Sequence, residues 1–528
     1  MASIQDLPNE LLEKILLSAD LQSVSRCLQV SKTLNGVVTG STAIQYKLEL
    51  ALEGLQDGLT GRWSTSERLQ ALRDRREAWK TMKPTSIHVF LAHAVPWRTT
   101  TRSHVTWTDL DSRQFHVLQI PSAHRRIPEK EWVIEESIIN TLRAEDLVYD
   151  PDQDLLAMLE ASHHGADLNW VLALRSLTTG QPHPKAPSPV LPTNIDISHW
   201  DISGSGVLLF GDYVGAHTQG FAKRFVLYNW KTGRELLNIA SSEAFCYAFL
   251  SHQYLLIPHA GLDQDCKTVM LSVIDLGSLP FRDEMIGIED LASLSVCRLA
   301  LPEMGGLPFG PFQLGTSVSP PRPWHMLDVP FSPDSKDGMI SITAHYDNGE
   351  TPTVVIPLSV ILRCIESGKP FFSWEEWGPT NSRLVSAEYI DMLPQANEMT
   401  AVIQEPVITY NPDSALPMDF TVSVSTRLYN FRSRKIRKHI CEGSPAPFAF
   451  SDHSSYGHAG DGHNYPIVTT LPGIYQELRR EMMKRHADDN KPMWDLVLGD
   501  DSIICIYDTE NPNDPTGRHV HEYHIWTF

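Results

Sequence analysis

The chain has 528 residues, with 44 basic against 64 acidic side chains (formal net charge −20), 42% hydrophobic and 20% charged residues. This composition excludes a wholly disordered or collagen-like chain, the length exceeds one ordinary core, and the charge opposes a phosphate backbone, whose binding needs neutralisation by Lys and Arg. No nucleic acid and no membrane are therefore expected as partners: the apolar runs are far shorter than the ~20 residues of a membrane span, and residues 1–6 lack the basic region and cleavage site of a signal peptide. Cys27, Cys246, Cys266, Cys297, Cys364, Cys441 and Cys505 are scattered, with no Cys-x-x-Cys, and no Asn-x-Ser/Thr occurs. A reducing compartment, cytoplasmic and/or nuclear, is expected.

From residue 7 the pattern is helical. Leu7, Leu11, Leu12, Ile15 and Leu16 recur at helical spacing and are expected on one apolar face. Pro8 and Glu10 suit a first turn, where a missing N–H costs nothing and a carboxylate meets the positive helix end. A second helix is expected after Asp20 (Val24, Cys27, Leu28, Val30, Leu34), with Ser23 as its N-cap and a break at Gly36 and Gly40. Tyr46, Leu48, Leu50, Leu52 and Leu55, then Leu69, Leu72 and Trp79, predict further helices.

From about Ser86 short β-branched and aromatic runs alternate with Pro, Gly, Asp and Asn clusters, the pattern of an all-β region. Strands are expected at 87–91, 170–174, 207–210, 225–230, 269–274, 354–361, 420–424 and 503–507 among others, long loops at 182–192 and 317–333, and few helices, the clearest at 475–485. A weak repeat runs through it. Residues 174–180 and 227–233 share apolar-x-x-Leu/Trp-x-Thr-Gly, residues 273–277 echo them, and the turns at 150–154 and 332–336 each precede an apolar strand. The spacing is near the ~40–50 residues of a propeller blade. Radial repetition removes the edge-strand problem of a large β region, so a propeller is expected, with a pair of β-sandwiches as the competing architecture.

Residues 7–34 resemble the F-box. Leu7-Pro8 opens the first helix, Glu10, Leu12, Ile15 and Leu16 follow, Asp20 ends the turn, and Val30, Ser31 and Lys32 match the closing helix. Leu34 stands where the family has a bulky Trp, and Val24 where it has Leu, which removes volume. Residues 44–50, Gly54, Gly58, Leu69, Leu72 and Trp79 look like the linker of F-box proteins of mushroom-forming fungi, which commonly precedes a degenerate propeller. The resemblance implies a multidomain α plus all-β chain: a three-helix F-box at 1–40, a helical linker at 41–85, and a large antiparallel domain at 86–528, a degenerate WD40-like β-propeller that lacks the Trp-Asp blade ends.

It further implies a substrate receptor of a Skp1–cullin–F-box ubiquitin ligase. A Skp1-type adaptor would be bound through Leu7, Pro8, Leu11, Leu12, Ile15, Leu16 and Val30, a cullin through the adaptor, and an unknown protein target by the β domain. Some of the stripe is expected to meet the adaptor while the rest packs on Val24, Leu28 and Val30. About 40 residues cannot fold alone without metal, disulfide or partner, which independently asks for something to cover that stripe. The alternatives are an adaptor-binding protein outside a ligase and a metal-dependent hydrolase on a propeller scaffold.

No catalytic residue, cofactor or metal is expected. His519, His521 and His524, like His163-His164 and His453, His458 and His463, read as exposed polar positions more readily than as ligands. Gly204 and Gly206 belong to a hairpin, since no helix follows to face a phosphate. Asp500-Asp501 and Glu135-Glu136 would point to opposite faces of a strand, which disfavours joint acid–base work. The five cations at 432–438 read as a solvated hairpin arm, with a nuclear-import signal as the other option.

Overall fold

The computed structural model describes residues 7–58, 62–93, 99–100, 103–109, 112–139, 144–164, 167–196, 206–218, 223–241, 245–260, 268–279, 285–304, 306–318, 329–334, 336–386, 400–410, 420–430, 448–451, 454–456, 467–469, 473–477, 493–510 and 519–528, and of 400–498 the backbone alone. The basic run at 432–438 and His453, His458 and His463 lie outside the described residues.

Five helices come first: α1 (Asn9–Ser18), α2 (Leu21–Val30), α3 (Lys32–Gly40), α4 (Thr42–Glu53) and α5 (Thr65–Thr81). Their boundaries are set by side-chain caps. Asp20, not Ser23, caps α2, accepting from the Ser23 N–H at 2.9 Å. Ser31 caps α3 and Ser41 caps α4. The expected single helix from Val24 to Leu34 is thus two, broken at Ser31, and Gly36 lies inside α3. A hydroxyl able to satisfy an orphan N–H decides such a break more strongly than a glycine that merely tolerates one. Ser64 and Glu67 form a reciprocal capping box on α5. Between α4 and α5 runs a strand the sequence did not announce, β1 (Leu55–Asp57), paired antiparallel with Phe331–Pro333. Phe331–Pro333 was expected to be loop; it lies within the span of sheet five, more than half of the β region beyond β1 in sequence.

Among the described residues, seven antiparallel sheets of four principal strands follow in chain order. Sheet one spans 99–135, sheet two 144–196, sheet three 206–241, sheet four 248–300, sheet five 308–386 and sheet six 400–477. Sheet seven joins β2 (Ser86–His93) to Met493–Leu498, Ser502–Glu510 and His519–Thr527, β2 pairing with the last of these.

Sheets seven, one, two, three, four and five pack face to face in succession. Ile504, Ile506, Tyr523 and Ile525 of sheet seven meet Val105, Trp107 and Leu118 of sheet one. On the opposite face of sheet one, Phe115, Val117 and Ile134 meet Leu147, Leu156 and Met158 of sheet two. Leu155, Ala157 and Leu159 point the other way, onto Val214, Ala216 and Val226 of sheet three, and one continuous core then joins sheets three, four and five. Each such strand is buried on both faces, which is why 155–159 reads as an unbroken apolar run where a half-exposed strand would alternate. A sheet sandwiched between two successive neighbours is the packing of propeller blades, not of a pair of β-sandwiches.

The sequence repeat marks one structural position. The backbone N–H groups of Leu177, Trp230 and Leu276 donate to the carbonyls of Asp154, Asp212 and Gln253 at 2.8, 3.0 and 2.8 Å, tying the same turn to the preceding hairpin in sheets two, three and four. All three side chains are buried. Gly180 and Gly233 close two of these turns with φ of 71°, where a side chain would be strained.

Two further expectations give way. The strand expected at 354–361 stops at Pro357, and Leu358–Glu366 is helical, because Pro357 has no N–H with which to continue the ladder and suits a helix start. Within the helix expected at 475–485, Gly473–Glu477 is instead a strand between Arg427–Asn430 and Phe448–Ser451, so long-range pairing overrides local propensity. The rest of that segment lies outside the described residues.

Trp230 is fully buried and its indole N–H donates to the Gly211 carbonyl at 2.9 Å. Trp230→Ala is expected to cost ~3–5 kcal/mol, read as a lower urea midpoint of the full chain.

Candidate functional site

The helical face expected to be one is two. Leu12 and Leu16 are 1% and 4% exposed, Leu16 packing with Val24, Val38 and Ile44, whereas Leu7, Leu11 and Ile15 are 37%, 46% and 42% exposed. Leu11 and Ile15 are four residues apart and form one ridge of α1, with Leu7 exposed just before the helix begins, while 12 and 16 form the next ridge round the helix. Pro8 is exposed beside this ridge. Val30, expected both as packing partner and as adaptor contact, is 71% exposed at the end of α2, so it contributes nothing to the internal core. Leu34, where the family carries Trp, is buried. The result is an exposed apolar set, Leu7, Leu11 and Ile15 along α1 and Val30 at the end of α2, beside a small core.

That small core is fastened to α4. The Lys47 ammonium donates to the carbonyls of Leu17 and Ala19 at 2.7 and 2.6 Å, satisfying the C-terminal end of α1 with a cation. The Ser41 hydroxyl donates to Glu13 across the same junction. Helix α4 is in turn clamped to α5, where Arg73 and Arg76 share the Glu49 carboxylate, each at 2.8 Å.

The linker is then bolted to the β region. Tyr46 Oη lies 2.9 Å from Asp57 Oδ1 and 2.7 Å from the Pro330 carbonyl. Burial first, and the Asp57 carboxylate second, push its phenol well above the usual tyrosine range. Trp79 stacks on Phe528 with ring centroids 4.5 Å apart, and the Arg126 guanidinium lies 3.8 Å over the Trp63 ring.

The tightest contact is a buried ion cluster at Asp501. Arg75 of α5 donates through Nε to Asp501 Oδ1 at 2.7 Å and through Nη2 to the Asp500 carbonyl at 2.9 Å. Arg125 of sheet one binds Asp501 Oδ2 through Nε, and Ser122 donates to the same oxygen at 2.6 Å. All these side chains are buried. Burial would raise the Asp501 carboxyl, but Arg125, Arg75 and the Ser122 hydroxyl outweigh it and hold the group well below the usual carboxylate range. Asp500 and Asp501 were expected on opposite faces of a strand; they occupy the turn before Ser502–Glu510, and both carboxylates face Arg125. The doubled acid was visible in the sequence. Its partners, hundreds of residues away, were not.

His521 and His524 are buried in sheet seven, not exposed as expected, and His524 Nε2 lies 2.9 Å from Glu522 Oε1. Among the described residues no group of three or more His, Cys, Asp or Glu stands close enough to hold a metal ion, and no helix is long and apolar enough to cross a membrane.

Comparison with known proteins bears on the N-terminal helices. Residues 4–42 match the F-box domain. No curated protein matches the chain. Among solved structures, domains 1–2 of Drosophila Semaphorin 1b share 8% identity over 83% of this chain and 86% of that one, with a TM-score of 0.33. The polysaccharide lyase Uly1 covers 90% and 98% at 8% identity and a TM-score of 0.34, and Saccharomyces cerevisiae Sqt1 covers 75% and 99% at 8% and 0.30.

Asp501→Asn leaves two arginines buried beside a neutral amide and is expected to cost ~3–5 kcal/mol. Because the folded carboxyl is depressed, its contribution is present in full above the unfolded value near 3.8 and is lost only as pH falls through the lower folded value. Urea titrations at pH 7 and in strong acid check both points: the gap between native and variant should be wide at pH 7 and close in acid.

Proposed function

We propose that this chain, through the F-box domain it carries at residues 4–42, is a substrate receptor of a Skp1–cullin–F-box ubiquitin ligase. The F-box domain supports a Skp1-binding adaptor role. The observation that carries the reading is the division of α1: Leu12 and Leu16 complete the module's own core, while Leu7, Leu11 and Ile15, with Val30 of α2, stand in water. Each large aliphatic gains ~1.5–3 kcal/mol on full burial, so such a surface is stabilised by a partner that covers it. The adaptor would contact Leu7, Pro8, Leu11, Ile15 and Val30, with Leu12 and Leu16 acting from behind as positioning residues.

The β region would hold the target, and the ligase would act in the reducing compartment that the cysteines suggest. The receptor's contribution would be proximity: a target held on the β region and a ubiquitin-charged enzyme brought in through the adaptor react as if within one molecule. Such a role needs no catalytic side chain in this chain.

Two substitutions one residue apart test the reading. Leu11→Asp places a carboxylate where the adaptor would have to desolvate it, so Skp1 binding should weaken by at least ~100-fold with unfolding unchanged. Leu12→Ala should instead lower F-box stability by ~2–5 kcal/mol, weakening Skp1 only through the loss of folded module. Calorimetric titration of the full chain with purified Skp1, paired with unfolding curves, separates them. Unchanged Skp1 affinity in Leu11→Asp would sink the assignment.

A further inference from the structure

Every sheet presents an edge strand whose outward N–H and C=O groups can template another strand, and proteins ordinarily blunt such edges. Among the described residues, six of the seven outer edges are short, blunted or covered. Lys130–Glu135 in sheet one carries Lys130, Glu131 and Glu135. Val190–Asp196 in sheet two holds Pro192 and a register shift. Arg234–Ser241 in sheet three is covered by a parallel strand, Ile286–Gly287, and Ser295–Ala300 in sheet four by Phe371–Phe372. Arg383–Ser386 and Phe448–Ser451, in sheets five and six, are four residues each.

β2 is the exception. It is eight residues long, has no charged residue and no proline, and pairs with His519–Thr527 without a bulge. Among the described residues nothing pairs with its outer side. Ile87, Val89 and Leu91, on one face, are 42%, 50% and 64% exposed. On the other face Phe90 stacks between Trp107 and Tyr523, and His88 Nδ1 lies 3.1 Å from the exposed Glu129 carboxylate.

We propose that the outer edge of β2 docks an extended segment of a partner protein as an added strand, with alternate apolar side chains extending the Ile87, Val89 and Leu91 stripe and basic ones opposite, facing Glu129. The backbone sets the class of occupant, because only another extended backbone satisfies a row of N–H and C=O groups. The fold uses the same solution at two of its own edges, with Ile286–Gly287 and Phe371–Phe372. Charge selects among strands. Two copies at −20 each repel, whereas a segment bearing Lys or Arg is drawn to Glu129. The inference deepens the receptor reading, since it states how a target would be held, and rests on that reading for the partner's being a target.

The test uses the full chain and a fluorescent eight-residue peptide, Thr-Val-Lys-Val-Thr-Val-Lys-Val, in anisotropy titrations. Saturable binding is expected, weakened at least ~10-fold by Val89→Lys and left unchanged by Val133→Lys on the adjacent sheet. N-methylation of alternate peptide nitrogens should abolish binding in one register, where those N–H groups face β2, and spare it in the other. A peptide with Glu for Lys should not bind. The proposal is overturned if both N-methylated registers bind alike, if Val89→Lys is silent, or if sedimentation shows a dimer that Val89→Lys dissolves, which would make a second copy the occupant. Leu11→Asp should leave peptide affinity unchanged, so failure of the F-box reading and failure of the edge site are read separately.

Discussion

The carboxylate of Asp501 holds three parts of the molecule at one point. It lies in a turn of sheet seven, receives Arg75 from the linker helix α5, and receives Arg125 and Ser122 from sheet one. Breaking a buried ion pair by removing one partner costs ~3–5 kcal/mol, because the remaining charge is left in a poor dielectric. The cluster therefore acts less as a source of net stability than as a fixed register: α5 has one place to sit. The Glu49 clamp then fixes α4, and Lys47 fixes α1. An unbroken chain of polar contacts thus runs from sheet seven to the exposed ridge of α1. The ridge is thus placed relative to sheet seven by packed helices and not by a flexible tether.

The β region is built so that few strands face water on either side. Sheets seven, one, two, three, four and five succeed one another face to face, and their strands supply apolar side chains in both directions. The weak sequence repeat survives because one turn must both close a hairpin and reach back to the preceding one, which asks for a buried apolar side chain at 177, 230 and 276. Elsewhere the sheets only need apolar residues of suitable volume, so nothing keeps their sequences alike. β2 stands apart because it belongs to a sheet completed by strands from the far end of the β region.

The F-box illustrates how a module too small for its own core is made to last. Its buried aliphatics are Leu12, Leu16, Val24, Leu34, Val38 and Ile44, and Ile44 already belongs to α4. The module is therefore completed on one side by the linker. On the other side Leu7, Leu11, Ile15 and Val30 remain uncovered.

The sequence by itself determined what depends on neighbours a few residues apart. The helical period of 7–83, the first turn at Pro8, the shift to short β runs near Ser86 and the recurring turn at 174–180 and 227–233 are all local, and the Leu-Pro opening with its following aliphatics was enough to indicate an F-box. It was not enough to separate Leu11 from Leu12, because a stripe spanning half the helix leaves open which ridge meets the core, and only the packing of α2, α3 and α4 decides that. The tertiary structure alone revealed β1 against Phe331–Pro333, the strand at Gly473–Glu477 in place of a helix, and the meeting of Arg75, Arg125 and Asp501. Arg75 and Asp501 are 426 positions apart. No periodicity or spacing encodes a contact of that range; it exists because β2, the strand that follows α5, pairs with the last strand of the chain and so brings α5 to the turn that holds Asp501.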